Sequence, residues 1–172
     1  MSPAKGSRPL IRRAGLDDAA AIAGIYNEAI LNTTATFDTE PKPIEERREW
    51  LRTRGERHPV LVAEIDGDVV GFAALNRWSE RAAYDNTAET GLYVDAGYRG
   101  QGIGRALKNA LIDEARRLGF HTLIARITAD SEASLHLNRE AGFVEVGTLR
   151  EVGCKFGRLL DVRIMQKLLD RH

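Results

Sequence analysis

The chain has 172 residues, 43% of them hydrophobic and 29% charged, which fits one folded domain and excludes a chain that is disordered throughout. Lys and Arg total 25 and Asp and Glu total 25. That balance argues against a nucleic-acid binder, which carries a basic excess.

Residues 2–9 hold two prolines and a glycine; residues 1–8 predict a flexible arm, leaving residues 9–172 as a single domain. Residues 10–13 predict a short first strand. Asp17 and Asp18 then offer carboxylates to cap a helix, and Ile22, Ile25, Tyr26, Ala29 and Ile30 follow at helical spacing. Residues 32–37, closed by Pro41 and Pro43, read as a loop. Residues 44–57, with Ile44, Trp50 and Leu51 as apolar anchors, read as a second helix. Residues 60–65 and 69–75 are two strands joined at Asp66-Gly67, a dipeptide suited to a type I′ turn because both positions tolerate positive φ. Residues 77–87 are a polar loop, and residues 89–95 a fourth strand.

A glycine-rich stretch then opens a helix carrying Ile103, Leu107, Ala110, Leu111, Ala115 and Leu118, which Gly119 ends. Residues 122–127 are a strand. Asp130 or Ser131 caps a short helix that stops before Gly142. Residues 143–149 and 157–168 are the last two strands. The order is strand, two helices, three strands, then helix, strand, helix and two strands. That is an α/β pattern whose first half is largely antiparallel.

Cys154 is the single cysteine and cannot close an internal disulfide, which suits a reducing compartment. No apolar run approaches the ~20 residues of a membrane span, and residues 1–8 lack the apolar stretch of a signal peptide. The expected address is the cytoplasm, with no membrane partner and no nucleic-acid partner. His58, His121, His136 and His172 form no local signature with Cys154, so that cysteine is read as a turn or core thiol rather than a nucleophile. No cluster of His, Cys, Asp and Glu has metal-ligand spacing, so no metal is expected.

The most informative stretch runs from Glu89 through Gly91, Leu92, Tyr93 and Val94 into Arg99-Gly100-Gln101-Gly102-Ile103-Gly104-Arg105. Successive N–H groups at a helix start, free of side-chain bulk, bind anions, so a phosphate-bearing ligand is expected. A Walker A loop would need Lys-Ser or Lys-Thr directly after its last glycine, and Arg105-Ala106 stands there. A dinucleotide fingerprint would need two residues between its second and third glycines and an N-terminal parallel unit, which are also missing.

Arg99-Gly100-Gln101-Gly102-Ile103-Gly104 is instead similar to the R/Q-x-x-G-x-G/A signature of the GNAT N-acetyltransferase superfamily. Ile25-Tyr26-Asn27, Thr34-Ala35-Thr36-Phe37, Leu61-Val62-Ala63-Glu64, Trp78 to Tyr84, Gly147 to Gly153 and Lys155-Phe156-Gly157 resemble its phosphinothricin and methionine sulfoximine acetyltransferase branch. The resemblance implies the α/β GNAT fold, a mixed sheet of about seven strands with about four helices, splayed between the fourth and fifth strands. It implies acetyl-CoA as co-substrate, a small amino-acid-like amine as acceptor, and a homodimer.

The site residues follow from that resemblance. Gly100, Gln101, Gly102, Ile103, Gly104, Arg105 and Arg99 would hold the pyrophosphate, and the backbone of Leu92, Tyr93 and Val94 the pantetheine arm. A strand N–H there would also face the thioester oxygen as it gains charge. Glu89 stands where the family has its proposed base, against the alternative of a solvated strand carboxylate. Phe37, Trp78, Arg81 and Tyr84 would surround the acceptor, with Arg81 suited to a carboxylate. Ser131 would touch the cofactor or cap its helix. Asn138 departs from the family, which has Tyr or, in this branch, His at that place. An amide cannot deliver a proton to a leaving thiolate; it is expected to donate a hydrogen bond to sulfur or pantetheine, with Tyr93 or water left as proton source. His136, two residues earlier, belongs on another face of the helix. Two other readings stay open: an acetyltransferase for protein N-termini or lysines, and an acetyl-CoA-binding module without catalysis.

Overall fold

The computed structural model describes residues 7–170. Residues 1–6 of the expected arm lie outside the described residues; Ser7 and Arg8 are exposed and have no regular structure. Strand β1 (Leu10–Arg13) leads into helices α1 (Ala19–Asn32) and α2 (Ile44–Arg52). Strands β2 (Val60–Ile65), β3 (Asp68–Arg77) and β4 (Thr87–Val94) follow, then α3 (Ile103–Arg117), β5 (Thr122–Thr128), α4 (Glu132–Glu140), β6 (Val144–Lys155) and β7 (Arg158–Leu168). The strands form one seven-stranded sheet in the order β1-β2-β3-β4-β5-β7-β6. Every neighbouring pair is antiparallel except β4 and β5.

The sheet separates two apolar layers. On one face the α3 stripe of Leu107, Leu111 and Ala115 packs on Leu75, Ala88, Leu123, Ala125 and Met165. On the other, Ile22 and Ile25 of α1 pack on Val60, Val62 and Phe72. Asp66 and Gly67 adopt φ of 50° and 87°, the positive pair that a type I′ turn requires.

One irregularity in this sheet makes the site. Strand β4 pairs with β3 along its length, from Arg77 opposite Ala88 to Gly71 opposite Val94. With β5 it pairs only at Thr87, Ala88 and Glu89. Beyond Glu89 the two strands part, so the β5-facing edge of Thr90 to Val94 has backbone groups without a strand partner. This is the expected splay between the fourth and fifth strands.

Three local expectations are corrected. Asp18 does not cap α1 with its side chain: a 3₁₀ turn at Leu16–Asp18 precedes the helix, and the carboxylate instead accepts from Arg12 at 2.8 and 2.9 Å and from the Gly15 N–H at 2.7 Å. These bonds hold it below the usual carboxylate range. Helix α2 stops at Arg52 rather than Arg57, because Gly55 turns at φ 73° and Arg54 folds inward over Trp50 to donate to the His58 carbonyl at 2.8 Å. Strand β6 runs on to Lys155, so Cys154 is neither a turn nor a core thiol; it is exposed, opposite Leu159 on β7. Among the described residues, no helix is long and apolar enough to cross a membrane.

Candidate active site

The glycine loop builds the first part of the site from backbone alone. Asp95 accepts from the Gly97 N–H at 2.8 Å and fixes the turn after β4. Gly100 and Gly102 then take φ of 75° and 82°, a left-handed conformation that glycine adopts without steric cost. Gly102 is the N-cap of α3, and the Ala106 N–H, bonded to its carbonyl at 3.1 Å, is the first amide of the helix to find an acceptor. Among the described residues, the N–H groups from Gly100 to Arg105 have no acceptor in the chain. Converging donors at a helix N-terminus are an anion site. Arg99 and Arg105 flank it, paired with Glu28 and Glu140.

The open edge of β4 leads from this loop to a cavity of about 630 Å³ at the splay. Its far wall is aromatic and cationic. Tyr26 of α1 and Phe72 of β3 meet Tyr93 with ring centroids 5.2 Å apart in each case. Arg47 of α2 lies 5.0 Å from the Tyr26 ring centroid and 4.6 Å from that of Trp50, and its buried Nε has no hydrogen-bond partner. Burial, with a hydrogen bond to Asp38, pushes the Tyr26 hydroxyl up to about 12, and burial raises Tyr93 as well. Both phenols therefore stay protonated at neutral pH.

The loop between α1 and α2 closes one side, and β6 holds it there. Lys155, 5% exposed, donates to the carbonyls of Thr33 at 2.7 Å and Thr36 at 2.8 Å. At Gly153 an added Cβ would overlap the Phe37 ring where it now sits, so glycine admits that ring. Phe37, half-exposed, is thus seated in the cavity wall.

Glu89 lines the cavity where β4 loses β5. Both of its oxygens accept from Arg126 of β5, one at 2.9 Å, and this pairing raises the guanidinium above its ordinary value. To take up a proton, the carboxylate must release one of these bonds. Ser131 is the N-cap residue of α4, yet its hydroxyl makes no capping bond, and the residue lines the cavity. Asn138 is 5% exposed. Its amide N–H donates to the Ser134 carbonyl at 2.8 Å, which fixes the amide orientation and leaves a buried Oδ1 without a partner. Its vacant capacity is that acceptor together with the second amide N–H, so the expected donor keeps one hydrogen.

The structure brings Glu89, Leu92, Tyr93, Phe37, Ser131 and Asn138 into one cavity. Val94 and residues 99–105 do not line it; they follow along the chain to the start of α3. Trp78, Arg81 and Tyr84 do not line it; Arg81 and Tyr84 are exposed, and Trp78 lies beside it under the Arg126 guanidinium. His136 is exposed against Glu140, on the other face of α4. Sequence reasoning missed Arg47, Thr36 and Lys108. Lys108, 2% exposed, donates to the Thr90 hydroxyl at 2.7 Å and lines the same cavity. Its signal was visible: a lysine three residues before Leu111 interrupts the apolar stripe of α3.

The chain is similar to known proteins. Residues 22–143 match the family described as Acetyltransferase (GNAT) family. The L-methionine sulfoximine/L-methionine sulfone acetyltransferase of Salmonella typhimurium is 40% identical over 163 residues, 94% of this chain and 95% of that protein. The crystal structure of a GNAT superfamily phosphinothricin acetyltransferase from Sinorhizobium meliloti in complex with acetyl-CoA matches with a TM-score of 0.91 at 34% identity, covering 94% of this chain and 89% of that one. The structure of a ribosomal-protein-alanine N-acetyltransferase from Brucella melitensis matches with a TM-score of 0.91 at 45% identity, covering 93% and 99%.

Proposed function

The chain belongs to the GNAT acetyltransferase family, and from that premise we propose that it moves the acetyl group of acetyl-CoA to the amine of a small amino-acid-like acceptor, such as methionine sulfoximine, methionine sulfone or phosphinothricin. The observation that carries this reading is the parting of β4 from β5 directly beside an acceptor-free run of N–H groups at the start of α3. Two phosphates fit that run, and an extended amide-bearing arm fits the open edge of Leu92, Tyr93 and Val94. The orphaned Asn138 Oδ1 and the uncommitted Ser131 hydroxyl supply further polar partners for the cofactor. Acetyl-CoA supplies an activated acyl group on a thiol leaving group when bound.

The rest of the reaction is a matter of holding and deprotonating an amine. Glu89 serves as base, directly or through water, at the mouth of the splay. Arg126 orients that carboxylate through both oxygens. An amino-acid carboxylate is matched by the Arg47 guanidinium, whose Nε is unpaired at the cavity wall. Phe37 walls the acceptor side, and Trp78 lies beside it under Arg126. The name of the Brucella melitensis protein raises a second reading, a peptide N-terminus as acceptor. The tether of residues 33–37 to β6 through Lys155 and Gly153 favours a small acceptor, since it walls the side a peptide would cross.

The protein works as a homodimer. Val144, Val146, Leu149, Val152, Phe156 and Leu159 are all exposed on the β6–β7 hairpin, and β6 is an unpaired edge. Such an apolar edge is covered in stable proteins, and a second copy across a two-fold axis would cover both edges at once.

The test is thiol release from acetyl-CoA with a panel of amino acids, their sulfoximine and phosphinic analogues, and short peptides. Turnover on the analogues with none on peptides is expected, and Glu89→Gln should lower it by about 10²–10⁴-fold. Turnover on peptides alone would transfer the assignment to the second reading; wild-type rates in Glu89→Gln would remove Glu89 from the reaction.

A further inference from the structure

Lys108 is a buried lysine without an ion pair. Among the described residues no carboxylate contacts it; its Nζ donates to Thr90 Oγ1 at 2.7 Å and lies 4.3 Å from the Phe143 ring centroid. A lysine is seldom fully buried without a charged partner, and a leucine or methionine would fill the same space without desolvating a charge. Thr90 is the first residue of β4 past the last pair with β5, so the amine sits at the fork of the splay. It lines the catalytic cavity and also a second cavity of about 310 Å³ between α3 and α4, lined by Arg105, Asn109, Leu137, Glu140 and Ala141.

We propose that Lys108 is the proton donor of this site: its ammonium, held by Thr90 between the two cavities, protonates the sulfur that departs when the acetyl group is transferred. The proposal rests on the acetyl-transfer reading above and fills the place that Asn138 cannot. In the step, the acceptor nitrogen forms a bond to the acetyl carbon and the carbon–sulfur bond breaks, its electron pair going to sulfur. Lys108 gives one proton to that sulfur, leaving a neutral amine and a free thiol. The amine then takes a proton from water through the α3–α4 cavity, and the acceptor's own protons leave through Glu89 and solvent.

Burial pushes Lys108 down from 10.5 to about 7, near the pH at which a proton donor is most effective. The charged groups on the packed elements are already committed. Arg105 of α3 and Glu140 of α4 pair at the rim of the second cavity, with His136 of α4 also on Glu140. Arg139 of α4 pairs with Glu145, and Glu89, on the other face of β4, pairs with Arg126. Lys167 of β7 reaches Gly142, next to Phe143, and is a like charge there. The sign follows. Above about 7 the folded protein has lost this proton while the unfolded chain keeps it up to about 10.5, so stability rises with pH across that window. Over the same range the donor is deprotonated, so kcat falls.

Lys108→Met tests this in the full chain with acetyl-CoA. At saturating acceptor, kcat should drop by about 10²-fold or more with the KM for acetyl-CoA within about threefold, and the fall of kcat above neutral pH should disappear. Lys108→Arg keeps a charge but holds its proton, so it should not restore kcat; restoration would replace proton donation by simple charge stabilisation and overturn the proposal. A readout independent of turnover is the thiol of bound coenzyme A, titrated by its thiolate absorbance. Lys108 and that thiol titrate as a coupled pair, the thiolate holding the proton on the amine, so in wild type the thiolate should form about one pH unit lower than in Lys108→Met. An unchanged thiol, or an unchanged kcat and pH profile, overturns the assignment while leaving acetyl transfer by the wild type intact. A wild type that releases no thiol with any amine overturns the reading beneath it as well. Should Lys108→Met fail to fold, Thr90→Val removes the hydrogen bond alone, and an unaltered pH profile in that variant counts against the proposal.

Discussion

At the α3 end of the cleft the proposed ligand groups are backbone amides from one continuous segment, residues 92–105. At the α1–α2 end they are side chains from five separate places: Tyr26, Phe37, Arg47, Phe72 and Glu89. The first end depends on main-chain conformation, so side chains there can vary while glycines at positive φ cannot. The second depends on long-range packing, so a change in β6 can disturb a loop more than 100 residues away in sequence, as the Lys155 bond to Thr33 at a separation of 122 demonstrates. On the proposed reading, a main-chain donor end and a separately assembled acceptor end would let the acceptor change without the donor.

The contrast is sharpest at Gly102. A Cβ there meets nothing within 4 Å, so a substitution is opposed by φ 82° and by what it presents to the anion site, not by a clash. Gly102→Glu should abolish the thermal shift that acetyl-CoA produces, while Gly102→Ala should weaken it less, because alanine adds backbone strain without the charge. Equal shifts in wild type and Gly102→Glu would move the phosphate site elsewhere.

Lys155→Met breaks the other end. Two carbonyls of the acceptor loop lose a charge-assisted bond, so the KM for the acceptor should rise by about tenfold or more while acetyl-CoA affinity stays within about twofold. A parallel loss of acetyl-CoA affinity would show that the two ends are mechanically one. The smallest effect is expected at Asn138, where the ends meet. Asn138→Ala removes one acceptor, and a lost neutral hydrogen bond costs about 0.5–1.5 kcal/mol, so the KM for acetyl-CoA should rise by about two- to twelvefold with kcat nearly unchanged. A large loss of kcat instead would give Asn138 a role in the chemical step.

Element order was legible because strands and helices announce themselves over a few residues. The turn at Asp66-Gly67, the stripe of α3 and the stop at Gly119 all depend on neighbours in the chain. The errors came where a distant partner took over a local signal. Asp18 carries a good capping side chain, but Arg12 on β1 claims both its oxygens. Residues 53–57 could have continued a helix, but Arg54 is drawn to carbonyls at His58 and Leu75. The end of β6 looked like a connection, but Lys155 is needed inside the fold to hold the loop at Thr33 and Thr36.

What the chain alone determined is the proposed donor half of the protein: a strand, a glycine turn and a helix start lie within one short segment, and the unpaired amides there follow from local φ angles and missing Cβ atoms. What only the tertiary structure decided is the rest of the cavity. Arg47 was an unremarkable residue in a charged helix until Tyr26 and Trp50 stacked on it, and Lys108 was one of five lysines until β4, α4 and Phe143 closed over its amine. Chemistry of that kind arises from desolvation, and desolvation is a property of the packed neighbours, which sequence proximity does not supply.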